Sequence, residues 1–280
     1  MNKQALKTII EAKSPQYFER LPGFASSRLL RLLERIVHAD ELLDFFDQHG
    51  DKRNWEFIQA VFDYLHVSCV APPEHLNKIP AQGRLICVAN HATGPLDGLV
   101  LLHAIGQVRQ DVKIVLTDIL AGLDNLSALF LLYDQYTSRL QKQNIAAIRQ
   151  AILAEQAVIF FPAGEVTKLS WHGIRERVWQ AGAFSLAHKY RVPILPVAIH
   201  ARNSCLYYLL ALLHRHASTL LLSHEMFRKR SGTISIMIGD LLPPDHICLK
   251  GLTDATTQAD YVRMQVQYLL RKSLSSETMG

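Results

Sequence analysis

No stretch of this chain stays apolar for long enough to cross a bilayer. A membrane-spanning helix takes about 18 or more consecutive apolar residues, and the longest clean run, Leu206 to Leu213, stops well short of that. An export signal is also missing: Met1 to Lys13 carries Lys3, Lys7, Glu11 and Lys13 without a long apolar segment or a small-residue cleavage site, so the chain is expected to remain inside the cell. Cysteine is sparse. Cys69, Cys87, Cys205 and Cys248 show neither Cys-x-x-Cys spacing nor a histidine cluster at ligand distance, which leaves reduced core thiols and no metal site as the expectation. Repeats and low-complexity linkers are lacking as well. The excess of one charge is mild, +5 over 280 residues with histidine neutral; with no nucleic-acid-binding motif it favours an anionic lipid surface or a phosphorylated ligand over nucleic acid.

What the chain does have is enough apolar residues to build one core, 49% against 20% charged, in a length compatible with a single α/β domain and an extension. Residues 1–75 read as helical, with Ser27 as a cap for the periodic run Leu29, Leu30, Leu32, Leu33, Ile36, Val37 and a second helix from Trp55 to Leu65. After Pro72-Pro73, short apolar strands (Arg84 to Ala89, Lys113 to Thr117, Ala157 to Phe161, Val192 to Ile199, Thr233 to Ile238) alternate with helical patterns at Asp97 to Ala104, Ile145 to Leu153, Val178 to His188 and Leu206 to Leu222. A last helix runs from Gln258 to Lys272. The expected organisation is a helical segment over 1–75, an α/β domain over 76–245 and a helical segment over 246–280 packed on it. Leu206 to Leu222, interrupted by His214-Arg215-His216, fits either a membrane-surface element or a core helix with a solvated basic end.

Two constellations carry chemistry. The first, Asn90-His91-Ala92-Thr93-Gly94-Pro95-Leu96-Asp97-Gly98, sits where a strand ends and a helix begins, the edge at which parallel sheets bind ligands. Gly94 and Pro95 predict a tight turn able to fold Asp97 back onto His91, and a carboxylate on one ring nitrogen fixes the tautomer of a general base. The competing role for Asp97 is that of a helix cap. The second, Phe161-Pro162-Ala163-Gly164-Glu165-Val166, again follows a strand; its turn is expected to leave backbone N–H groups around Gly164 and Glu165 free, with the cations Lys168, Arg175 and Arg177 downstream.

From Ile79 to Asp240 these blocks, with Ala181-Gly182-Ala183-Phe184 and Val192-Pro193-Ile194-Leu195-Pro196-Val197, resemble in order those of the glycerolipid acyltransferase superfamily, which includes the lysophosphatidic acid acyltransferases, and within it the bacterial hemolysin-labelled, lysophospholipid acyltransferase-like subgroup. As in that subgroup, five residues separate His91 from Asp97, an HX5D spacing where the best-known members have four. The usual Phe-Pro-Glu-Gly-Thr-Arg-Ser block reads Phe-Pro-Ala-Gly-Glu-Val-Thr, so the arginine that meets glycerol phosphate is missing.

The resemblance implies a mostly parallel sheet flanked by helices with an N-terminal helical extension, and an O-acyltransferase of lipid metabolism on the inner face of the cytoplasmic membrane. Acyl coenzyme A or acyl carrier protein would be the co-substrate, a lysophospholipid or lyso-aminolipid the acceptor, and no cofactor is required. It implies His91 and Asp97 as catalytic; Gly164, Glu165, Arg175 and Arg177 as acceptor or oxyanion contacts; and Asn90, Gly94, Phe161, Pro162 and Pro196 around the pocket. The apolar positions Leu126, Leu129, Phe130 and Tyr133 suit an acyl channel on a helix face and equally a plain core. A hydrolase or a non-catalytic lipid carrier of the same fold are the rival functions. A lytic role is at odds with the missing export and spanning segments.

Overall fold

The central strands read as unbroken apolar runs because both of their faces are covered. In β2 (Leu85–Ala89) every residue is buried, with Leu85, Cys87 and Ala89 packing into one core cluster and Ile86 and Val88 into another. The computed structural model describes residues 23–116, 123–133, 138–171, 173–213, 217–245, 252 and 254–277. Met1 to Lys13, the His214-Arg215-His216 interruption and Cys248 lie outside them.

The other strands are β1 (Ser68–Val70), β3 (Val112–Leu116), β4 (Phe130–Leu132), β5 (Ala157–Phe160), the hairpin β6 (Lys168–Ser170) and β7 (Gly173–Arg175), β8 (Ile194–His200) and β9 (Thr233–Ile238). Seven of them form one sheet in the order β1-β9-β8-β2-β5-β3-β4, and every neighbouring pair is parallel except β8 with β9. The sheet is therefore mostly parallel, as expected.

In chain order the helices are α1 (Gly23–Ile36), α2 (Ala39–His49), α3 (Asn54–Leu65), a single turn α4 (Pro73–Leu76), α5 (Pro95–Gly106), α6 (Ser138–Leu153), α7 (Gly182–Tyr190), α8 (Cys205–Leu213), α9 (Ala217–Arg228) and α10 (Ala255–Glu277). Phe57, Ile58, Val61 and Leu65 of α3 and Val100, Leu101 and Ile105 of α5 fill the core on one face of the sheet. Ile148 and Ile152 of α6, Phe184 of α7 and Val262 and Val266 of α10 fill the other. Two helical layers on one sheet are the arrangement that all-buried strands require.

Several local expectations are corrected. Ser27 lies inside α1, beyond its first turn, and not at the helix start. The segment read as wholly helical contains β1, which pairs with β9 at the sheet edge. Leu126 and Leu129 belong to a 3-10 turn (Asp124–Leu129), after which the chain extends and Phe130 pairs with Ile114; Leu126, Leu129 and Phe130 join one core cluster and Tyr133 the other, so these four residues do not form one channel-lining helix face. The helix expected from Val178 begins only at Gly182: before it the Gln180 N–H goes to the Pro162 carbonyl at 2.9 Å and the Trp179 indole to Glu176. Leu206 to Leu222 is split between α8 and α9.

Candidate active site

Because β2 and β5 are parallel neighbours, Leu85 beside Ala157 and Val88 beside Phe160, the two turns that follow them leave the sheet at the same edge. Asn90 opens the first. Its side-chain Nδ2 donates to the carbonyl of Ile199 at 3.1 Å and its Oδ1 accepts the Ile199 N–H at 2.8 Å, extending the β2–β8 ladder by one amide. Asn90 is therefore a clamp within the sheet, both ends of its amide being held by Ile199. Gly94 makes the reversal possible with φ 107° and ψ −131°, a region closed to side chains, and a Cβ there would sit 3.0 Å from Leu222 of α9. Pro95 then starts α5 with a φ suited to a first helical residue.

Asp97 is completely buried in the first turn of α5, where its carboxylate meets both the helix start and the His91 ring. Oδ2 accepts the N–H of Thr93 at 2.7 Å and of Gly94 at 3.0 Å, closing the helix start, and it also faces His91 Nδ1 at 2.8 Å. Oδ1 accepts the Thr93 hydroxyl at 2.6 Å. An ionised carboxylate only accepts, so the proton of the His91 contact sits on Nδ1 and Nε2 keeps a lone pair. Nε2 has no hydrogen-bond partner among the described residues. The His91 side chain retains 19% exposure, and its ring stacks on Phe161 with centroids 4.3 Å apart and planes at 18°. Packing and a hydrogen bond thus fix the ring while its basic nitrogen stays open, the arrangement of a general base.

The second turn and the hairpin after it hold the main chain of His91. Thr167 donates its N–H at 2.8 Å and its hydroxyl at 2.9 Å to the His91 carbonyl. Glu176 Oε1 accepts the His91 N–H at 2.7 Å, while Oε2 accepts the indole N–H of the buried Trp179 at 2.8 Å. Burial pushes the Glu176 carboxyl above its ordinary range, opposed by these two hydrogen bonds and by the charges of His91 and Arg263. Sequence reading missed Glu176 and Thr167. The one trace of Glu176 is a carboxylate between two arginines, three residues before a tryptophan.

Behind Glu176 lies a cavity of about 360 Å³ lined by Glu165, Val166, Lys168, Leu169, Ser170, Arg175, Glu176, Arg177 and Val178. Arg175 and Arg177 border it, and Glu165 faces Lys168 at 2.9 Å. Glu176, one of its lining residues, also holds the main-chain N–H of His91. The amide of Gly164, by contrast, already donates to the Phe161 carbonyl at 3.0 Å, so the turn (φ 69° at Gly164) does not offer that N–H to an oxyanion. Pro162 is buried and its carbonyl accepts the Gln180 N–H at 2.9 Å. Pro196 lies within the sheet, paired in register with Val88 and accepting from Gly239 at 2.8 Å, away from the cavity lining. The position of the missing arginine is taken by Val166, buried against Tyr207 and Tyr208. Among the described residues no cluster of three or more metal-ligating side chains occurs.

The chain is similar to known acyltransferases. A family model described as Acyltransferase matches residues 8–277. A lyso-glycine lipid O-acyltransferase of Bacteroides thetaiotaomicron is 26% identical over 242 residues, covering 84% of this chain and 86% of its own. One of Phocaeicola vulgatus, with the same name, is 24% identical over 245 residues, covering 85% of each. Among solved structures, the 1-acyl-sn-glycerophosphate (LPA) acyltransferase of Thermotoga maritima is similar in fold, with a TM-score of 0.52 at 15% identity, over 88% of this chain and 95% of that one.

Proposed function

This chain belongs to the acyltransferase family, and on that footing we propose that it moves a fatty acyl group from a thioester donor, acyl coenzyme A or acyl carrier protein, to the hydroxyl of a lysolipid. His91 acts as general base through Nε2: it removes the hydroxyl proton as the oxygen attacks the thioester carbonyl, and returns that proton to the thiolate that leaves. Asp97 keeps Nδ1 protonated and steadies the imidazolium that forms. The observation that carries this reading is the 2.8 Å contact between His91 Nδ1 and a carboxylate already anchored by Thr93 and Gly94. A purely structural histidine has no need of so rigid an orienting group with its other nitrogen open.

The acceptor class we favour is a lyso-aminolipid. Two relatives bear the name lyso-glycine lipid O-acyltransferase, and a buried valine stands where glycerolipid members place the arginine for glycerol phosphate. Arg175 and Arg177, both exposed at the cavity, are suited to a carboxylate or another anionic headgroup. A lipid acceptor places the enzyme at a membrane surface, and among the described residues no helix is long and apolar enough to cross one; we propose peripheral attachment to the cytoplasmic face.

The test is transfer of labelled acyl groups from both donors to lyso-aminolipid and lysophospholipid acceptors by wild type and His91→Ala. Diacyl product with a loss of at least about 10²-fold in the variant is expected. Thioester cleavage without acceptor, at the same rate as with it, would establish a hydrolase instead.

A further inference from the structure

Helix α8, Cys-Leu-Tyr-Tyr-Leu-Leu-Ala-Leu-Leu, contains no charged residue, yet only one side of it is covered. Tyr207 and Tyr208 are buried against Val166 and Leu221, with Leu169 of β6 and Leu210 packed beside them. Leu206 and Leu209, 52% exposed, and Leu212, 41% exposed, stand three residues apart on the other side. A helix apolar all round is stable in water only when all of it is covered. The hairpin packed against α8 repeats the anomaly: Trp171 at its tip is 93% exposed, Ile174 is 45% exposed, and Val178 just beyond is 61% exposed. Patches of this kind mark binding surfaces.

We infer that the β6–β7 hairpin tip and the outer side of α8 form the surface on which the protein docks to an anionic lipid bilayer, with Trp171 and the three leucines entering the headgroup boundary. The inference rests on the lysolipid reading above and names the surface that serves it. Three features select lipid over a second protein. The same hairpin supplies Leu169, Ser170 and Arg175 to the groove beside the patch, whose lining includes Glu176, the carboxylate that holds the His91 main chain. Arg175 and Arg177 are exposed next to the apolar side chains, where anionic headgroups would meet them. An exposed tryptophan at a hairpin tip, together with exposed leucines and arginines, is the composition of an interfacial anchor.

The full chain, with Trp171→Ser and Leu209→Ser as single and double variants, is tested for co-sedimentation with phosphatidylcholine vesicles and with vesicles that also contain phosphatidylglycerol. Wild type is expected to bind the anionic vesicles, its tryptophan emission moving to the blue, and Trp171→Phe to abolish that movement. The double variant is expected to lose at least about tenfold in partitioning, and to acylate a short-chain, water-soluble acceptor at the wild-type rate while failing on acceptor held in vesicles. Unchanged circular dichroism and melting exclude a folding defect. Vesicle binding that survives the double variant would overturn the inference. So would a concentration-dependent dimer that the same substitutions dissolve, since the patch would then face a second copy. If no acceptor is acylated at all but vesicle binding fails in the variants, the surface stands and the acyl-transfer reading falls.

Discussion

Glu176 accepts the main-chain N–H of His91 at 2.7 Å across 85 residues of sequence. Its second oxygen takes the indole of Trp179, so the carboxylate ties the imidazole-bearing turn to the base of the hairpin. Glu176→Gln keeps the size of the side chain but turns an amide N–H toward one of two N–H donors. The expected outcome is a fall in kcat of about tenfold or more with little change in KM for the acyl donor, since a small misplacement of a reacting group costs rate far more than binding. Steady-state kinetics on wild type and variant decide it; a change confined to KM would assign Glu176 to substrate binding instead.

Asp97→Asn tests the double duty of the buried carboxylate. Asparagine can still accept from Thr93 and Gly94, so the protein is expected to fold with a loss of about 1–3 kcal/mol. The charge that stabilises the imidazolium is gone, and activity is expected to drop by about 10²-fold or more. Urea unfolding and initial rates separate the two effects.

Gly94→Ala is expected to destabilise the protein by about 1–3 kcal/mol, because φ 107° and the approach to Leu222 both exclude a side chain. Adding Leu222→Ala removes the contact but leaves the dihedral, so the double variant is not expected to recover. Thermal melts of the two variants and of Leu222→Ala alone give the comparison.

Acid is expected to loosen the joint between α2 and α9. His38 Nε2 and His224 Nδ1 share a hydrogen bond at 3.0 Å, His38 Nδ1 meets Glu41 at 2.6 Å, and Arg230 meets the other oxygen of Glu41 at 2.6 Å. Burial, then the charges of His38 and Arg228, hold His224 below its ordinary 6.5, with Glu225 opposing. The unfolded chain therefore binds the proton first: stability is full above about pH 6.5 and falls as the pH drops through that value toward the depressed one. Glu41, lowered chiefly by the His38 hydrogen bond and by Arg230 against desolvation, contributes above its ordinary 4.5 and is lost below that as the pH falls through its own lowered value. Urea midpoints measured at about pH 7.5 and about pH 5.5 are expected to differ less in His224→Phe than in wild type.

The native protein is also expected to react with thiol reagents at Cys205, which is exposed, and not at Cys69 or Cys87, whose thiols burial pushes up to about 12. Mass spectrometry of labelled peptides reads the sites.

Much of this was legible in the sequence wherever a local pattern suffices. β2, β5 and β8 show as apolar runs because both of their faces are buried, β3 and β9 show by apolar residues that alternate into the core, and the His91 to Asp97 turn shows because Gly94 and Pro95 punctuate it. What escaped depends on distant partners. β1 and β4 are three residues each and are strands only by pairing with β9 and β3. Asn90 resembles a pocket residue until its amide is seen on Ile199. Gly164 resembles an oxyanion donor until its N–H is found on Phe161. Glu176 was hidden between Arg175 and Arg177, whose charges mark a solvated stretch, and its burial comes from Trp179 and the His91 turn.

The separation of these contacts along the chain has a bearing on how the protein comes into being. His91 and Asp97 are six residues apart and meet within one turn, whereas Thr167 lies 76 residues beyond His91, Glu176 85 residues beyond it, and Ile199 109 residues beyond Asn90. A ribosome extending the chain from its amino terminus makes the reactive pair early and the parts that hold it in register late. Until β8 has emerged and taken its place beside β2, the nascent chain carries the local turn that joins Asp97 to His91 but lacks the Thr167, Glu176 and Ile199 contacts that fix that turn on the sheet.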